Sequence, residues 1–83
     1  MNGAATQDDG RARRALVTGV SSGIGEAIAQ RLLAEGWNVI GFSRGEPAFV
    51  SPRLTHRSVD LADRQALATA LSKLKPLDAI VHA

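Results

Sequence analysis

The residues best suited to chemistry lie close together near the start of the chain. Thr18-Gly19-Val20-Ser21-Ser22-Gly23-Ile24-Gly25 gathers three glycines and two serines between a short apolar run, Ala15 to Thr18, and a stretch of helical periodicity. That placement, at a strand-to-helix turn, is what gives a glycine pattern meaning. Gly19 permits a tight turn off the strand. Gly23 lets backbone N–H groups approach a diphosphate with no side chain in the way, and Gly25 lets the helix pack closely on the strand. The first helical turn, Gly23 through Ile24 to Gly25, offers N–H donors with no intrahelical partner and the positive end of the helix dipole. The hydroxyls of Ser21 and Ser22 add donors for a phosphate.

A second candidate group stands where the next strand ends. Ser43 and Arg44 fall about 20 residues past the glycine turn, where a NAD-binding unit carries an acid that grips the ribose 2′-hydroxyl. No acid ends this strand: Ser43 occupies that place and Arg44 follows it. A guanidinium pairs with a 2′-phosphate through two parallel hydrogen bonds. NADP(H) is therefore the expected cofactor, with NAD(H) the alternative. Glu46 lies past Gly45, too far along the loop to act as the ribose acid.

The elements that must hold these groups are legible in the apolar periodicity. After the first strand, Ile24, Ala27, Ile28 and Leu32 predict one face of a helix reaching about Glu35, with Gly36 as its stop. Trp37 to Ser43 reads as a second strand. Arg44 to Pro52, with Gly45, Pro47 and Pro52, reads as a loop. Leu54 to Val59 is a weaker third strand. Leu67, Ala70, Leu71 and Leu74 predict a second amphipathic helix, with Asp60 and Asp63 at its start and Pro76 at its end. Asp78 to Ala83 completes the pattern as a fourth strand. Apolar strands alternating with helices imply parallel pairing through right-handed crossovers. The expected fold is therefore an α/β, Rossmann-type doubly wound sheet, of which this chain supplies the N-terminal half with strand order 3-2-1-4.

Composition narrows the class. The chain has 83 residues, 45% hydrophobic and 22% charged, which suits one small domain. Residues 1–12 carry no periodicity and are expected to form a disordered leader ahead of a nucleotide-binding portion at 13–83. There is no cysteine, so disulfides and cysteine-metal sites are excluded, and no metal site is expected. No apolar run approaches the roughly 20 residues that span a bilayer. No secretory h-region follows Met1, so the expected location is the cytoplasm, with no membrane partner. Arg11, Arg13 and Arg14 cluster beside the first strand, but aromatics are 4% and tyrosine is absent. A nucleic-acid face interleaves the two, so this cluster reads as a solvated flank and no nucleic-acid partner is expected.

The spacing Thr18-Gly19-x-x-x-Gly23-x-Gly25 resembles that of the short-chain dehydrogenase/reductase family. The G-x-x-G-x-x-G variant of that family's extended, epimerase-like branch does not match. The resemblance implies hydride transfer between a nicotinamide and a small carbonyl or alcohol substrate, by a homo-oligomeric parent protein. It also implies that Asp60 and Leu61 flank the adenine ring. Asp78-Ala-Ile-Val-His-Ala is similar to the family's D-x-L-V-N-N-A-G strand, with His82 and Ala83 at the two Asn positions, and implies a contact between Ala83 and the cofactor ribose. His82, a lone histidine after an apolar run, reads as a packed or hydrogen-bonded side chain rather than a base. The family's acid-base tyrosine, and the lysine four residues after it, have no counterpart in a chain without tyrosine. The expectation is a portion that precedes the catalytic half, holds no catalytic residue and is inactive alone, with a non-catalytic nucleotide-binding module or inactive fragment as the alternative.

Overall fold

The computed structural model describes residues 12–83, so the expected leader, apart from Ala12, and Arg11 lie outside the described residues. Six elements follow in order: β1 (Arg14–Thr18), α1 (Gly23–Ala34), β2 (Asn38–Ser43), β3 (Leu54–Ser58), α2 (Arg64–Ser72) and β4 (Ala79–His82). The four strands form one parallel sheet in the order β3-β2-β1-β4, as the alternation of strands and helices predicts. This is the Rossmann-type half-sheet.

The core lies on both faces of β1 and β2. Alternate side chains of a strand point to opposite faces, so Val17 and Val39 join Val20, Ala29 and Leu33 on the α1 face. Leu16, Ile40 and Phe42 join Val59 on the other, where Leu67, Ala70 and Leu74 pack from α2 and its C-terminal end. Residues 44–53 link β2 to β3 without a helix, and Phe49 from this loop packs on the α1-side cluster.

Both helices are capped by their own sequence. In α1, Ser22 is the N-cap. At the other end Gly36 takes φ 93°, while the Trp37 and Gly36 amides donate to the Leu32 and Leu33 carbonyls, closing a Schellman turn. Arg53, from the β2–β3 loop, adds a guanidinium to the Leu33 carbonyl, where a cation suits the negative end of the dipole.

Several expectations need correction. The buried face of α1 is Gly25, Ala29 and Leu33, flanked by Ile28 and Leu32, whereas Ile24 is 72% exposed and Ala27 is also exposed. The cause is Gly25. Its close approach to the turn sets the rotation of the helix, and Ile24, one position earlier, is turned away. Helix α2 ends at Ser72, well before Pro76, with Lys73 as its C-cap, and Leu71 faces solvent. Arg13 and Arg14 are not a solvated flank. Arg13 lies over the Trp37 ring, 5.7 Å from its centroid, and Arg14 opens β1, its backbone N–H donating to the Asp78 carboxylate at 2.9 Å.

Candidate functional site

The glycine turn is built by β1, α1 and the hydroxyl of Ser22. Gly19 adopts φ 75°, a left-handed conformation that glycine takes without strain. Its N–H donates to the Phe42 carbonyl at 2.8 Å, tying the turn to β2. Ser22 donates its hydroxyl proton to the Gly19 carbonyl (2.7 Å) and accepts from the Gly25 N–H (3.2 Å). A serine has one proton to give. Both serines are exposed, but the Ser22 hydroxyl is engaged within the turn as helix cap, which leaves Ser21 as the hydroxyl of the pair that does not cap the helix.

The three glycines do different things. A Cβ on Gly25 would stand 2.1 Å from the Gly19 carbonyl oxygen, an overlap no side chain relieves because both partners are backbone. A Cβ on Gly23 would meet nothing within 4 Å. Open space thus lies in front of the helix N-terminus, where the amides of Gly23 and Ile24 have no intrahelical acceptor. The arrangement suits an anion with several oxygens. A Cβ on Gly19 would come to 3.0 Å from the Ala83 carbonyl oxygen, so the end of β4 abuts the turn.

Beside the turn, a cavity of about 260 Å³ is lined by Gly19, Ser21, Ser43, Arg44, Gly45, Val59, Asp60, Leu61 and Ala62. Six of the residues singled out in the sequence, from three separate loops, therefore meet at the ends of β1, β2 and β3. Ser22, Gly23, Ile24, Gly25 and Ala83 do not line this cavity. The first four form the helix start next to it, and Ala83 sits across the turn. Glu46 lines a different cavity, with Pro47, Phe49 and His56. A larger one, about 750 Å³, runs as an open groove between β3 and α2 and shares only Val59 and Asp60 with the cavity beside the turn.

Asp60 and Asp63 divide two roles between them. Asp63 is the N-cap of α2, its carboxylate accepting from the Ala66 N–H at 3.0 Å. The Asp60 carboxylate accepts from the Ala62 N–H at 3.0 Å, its backbone carbonyl accepts from the Asp63 N–H at 2.9 Å, and the residue remains exposed at the cavity wall. His82 is held through Nδ1, 2.6 Å from the Thr18 hydroxyl, so it is a hydrogen-bonded structural residue next to the turn.

Sequence reasoning passed over three contributors. His56 and Ser58, on β3, reach toward the Ser43–Gly45 tip. Alternation along β3 puts Leu54, His56 and Ser58 on one face, but no motif marked them. Gly41 was also missed: a Cβ there would fall 2.7 Å from the Val20 side chain, so this glycine makes room for the turn.

Fold and turn together define a Rossmann-type protein. The sequence model of the NAD dependent epimerase/dehydratase family matches residues 15–83. Over 75 residues the chain is 40% identical to L-xylulose reductase of Bos taurus, covering 84% of this chain and 31% of that protein. The ligand-free aldohexose dehydrogenase of Thermoplasma acidophilum superposes with a TM-score of 0.77 at 27% identity, over 88% of this chain and 29% of its own. A short-chain dehydrogenase of Leptospira borgpetersenii with bound NAD+ gives 0.68 at 25% identity, over 75% and 26%. The chain belongs to the short-chain dehydrogenase/reductase group, through the NAD dependent epimerase/dehydratase family. Its glycine spacing is nonetheless the T-G-x-x-x-G-x-G form, and it spans 31% of the length of the reductase it matches.

Proposed function

We propose that this chain is the cofactor-binding portion of an oxidoreductase that uses NADP(H) in preference to NAD(H) and acts on a small carbonyl or alcohol. The observation that carries the reading is the cavity at the ends of β1, β2 and β3. There Arg44 follows Ser43 at the tip of β2, and no carboxylate ends that strand.

In this reading the diphosphate lies over the open space at Gly23, held by the amides of Gly23 and Ile24 and by the Ser21 hydroxyl. Arg44 pairs with the 2′-phosphate beside Ser43, Asp60 and Leu61 flank the adenine, and Ala83 borders the ribose. Gly19, Gly25 and Ser22 act on the ligand only through the shape of the turn. The bound nicotinamide would supply the hydride. The substrate-facing residues belong to no motif found in these 83 residues. The reductase and dehydrogenase relatives support the reaction class, and the NAD+ held by the Leptospira neighbour supports a nicotinamide dinucleotide. The preference for NADP(H) rests on Ser43 and Arg44 alone.

The test is titration of the full-length protein with NADPH and with NADH, followed by fluorescence or calorimetry. NADPH should bind at least tenfold more tightly, the scale of a charge-assisted pair of about 1.5–3 kcal/mol. Equal affinities, or tighter NADH, would remove the NADP(H) assignment.

A further inference from the structure

The tip of β2 is held by side chains of β3. Its three consecutive carbonyls all have donors. The Ser43 carbonyl accepts from the Val59 N–H at 3.1 Å, and the Arg44 carbonyl accepts from the Ser58 hydroxyl at 3.3 Å. The Gly45 carbonyl accepts from the Ser43 hydroxyl at 2.6 Å. That last bond uses the only proton Ser43 has, because a carbonyl cannot donate. The Ser43 oxygen also lies 2.9 Å from His56 Nε2, so here the histidine must be the donor, with its proton on Nε2. A chain of bonds thus runs from His56 to Ser43 to the Gly45 carbonyl, and it closes the turn that carries Arg44. Register puts this in place: His56 pairs with Gly41 and Ser58 with Ser43, two steps apart on one face of β3.

Ser43 is 3% exposed, so its hydroxyl meets little solvent in the folded chain. His56 itself lines the loop cavity and the large groove but not the cavity that holds Arg44. Its route to the Arg44 cavity therefore runs through Ser43. We infer that His56, with Ser58, is a positioning residue for cofactor selection: β3 fixes the Ser43–Gly45 turn so that the Arg44 guanidinium is presented to a 2′-phosphate. This rests on the NADP(H) reading above. A bidentate guanidinium contact depends on the placement of a planar fork, whereas NAD(H), lacking the phosphate, is indifferent to where that fork sits.

The experiment measures dissociation constants for NADPH and NADH, with thermal midpoints, on full-length wild type, His56→Leu, His56→Gln, Ser58→Ala and Arg44→Asp. His56→Leu should weaken NADPH about three- to tenfold, the loss of one hydrogen bond to an aligned neighbour, and change NADH less than about twofold on the same scale. His56→Gln, whose amide nitrogen is a donor at nearly the same reach, should restore NADPH. Ser58→Ala, an exposed position, should weaken NADPH by a smaller factor in the same direction, and it carries the test if His56→Leu does not fold. Equal weakening of both cofactors by His56→Leu and by Ser58→Ala, or no rescue by glutamine, overturns the inference. If Arg44→Asp swings the preference while neither β3 change does, the inference falls and the NADP(H) reading stands. If Arg44→Asp leaves both constants unchanged, both fall together.

Discussion

The two inner strands and the two outer ones are made differently. In β1 and β2 every residue after the first is buried, and α1 buries Gly25, Ala29 and Leu33 against them. In β3 and β4 no residue is fully buried, half-buried and exposed positions alternating along β4 and the first four residues of β3, and α2 contains no fully buried residue. Inner strands have a partner on each side and a covered surface above and below, so their sequences run continuously apolar. Strand β3 is at the edge and reads Leu-Thr-His-Arg-Ser. What it lacks in core it supplies as polar side chains that hold the tip of its neighbour. The inner region sets the shape of the site, and the outer region adjusts it.

Breaking the inner region should therefore have the largest effect. Phe42, fully buried, packs between β1, β3 and the α2 side of the sheet. Phe42→Ala should cost about 3–5 kcal/mol, on the scale of buried aromatic truncations. Val50, in the loop that leads into β3, is 95% exposed, and Val50→Ala should stay within about 0.5 kcal/mol, the range of surface changes. Chemical denaturation of both variants in the same protein checks the pair. A loss above about 1 kcal/mol for Val50→Ala would mean that this loop is covered in the full-length protein.

The same contrast can be drawn inside the turn. Gly25→Ala forces a methyl into the Gly19 carbonyl, and overpacking of this kind costs about 1–3 kcal/mol. It should shift the start of α1 and weaken dinucleotide binding with it. Gly23→Ala meets open space, so the thermal midpoint should hold while affinity falls, because the methyl occupies the room assigned to the diphosphate. Thermal unfolding and cofactor titration separate the two. Unchanged affinity in Gly23→Ala would leave that space without a ligand role.

Arg44→Asp tests the point where inner and outer regions meet. The substitution removes a charge-assisted pair worth about 1.5–3 kcal/mol and adds repulsion toward a 2′-phosphate. The ratio of NADPH to NADH affinity should drop by about tenfold or more. The new carboxylate also becomes an acceptor for a free 2′-hydroxyl. Arg44 is exposed, so the thermal midpoint should not move.

How much of this was legible in the sequence follows the same division. The order of elements and the strand order were readable because apolar periodicity and turn residues report inner strands directly; Asp60 and Leu61 were singled out by the family resemblance and not by periodicity. The rotation of α1 was misread because a hydrophobic count favours Ile24, while the actual constraint is the missing Cβ of Gly25. The end of α2 was placed too late because Pro76 marks where a helix cannot continue, not where packing ceases to support it. His56 and Ser58 were passed over because a polar edge strand gives no pattern that separates a solvated side chain from one bonded to its neighbour.

The smallest effect concerns Asp60 and Asp63, two carboxylates three residues apart at the start of one helix, of which the family resemblance singled out Asp60 while helix-start chemistry fits both. Asp63 accepts from the Ala66 N–H and caps α2, so Asp63→Ala should cost about 1 kcal/mol of stability. It should leave the cofactor constants unchanged, since Asp63 does not line the cavity at the glycine turn. Asp60 lines that cavity and its carboxylate accepts from the Ala62 N–H two residues on, an exposed local contact whose loss is on the order of 0.5 kcal/mol. Asp60→Ala should therefore move the thermal midpoint less than Asp63→Ala and weaken NADPH and NADH alike, because the adenine is common to both. Parallel melting curves and titrations decide the matter. If Asp60→Ala lowers stability as much as Asp63→Ala and leaves both affinities intact, Asp60 serves the helix start, and the adenine side of the site must be sought at Leu61 and Ala62.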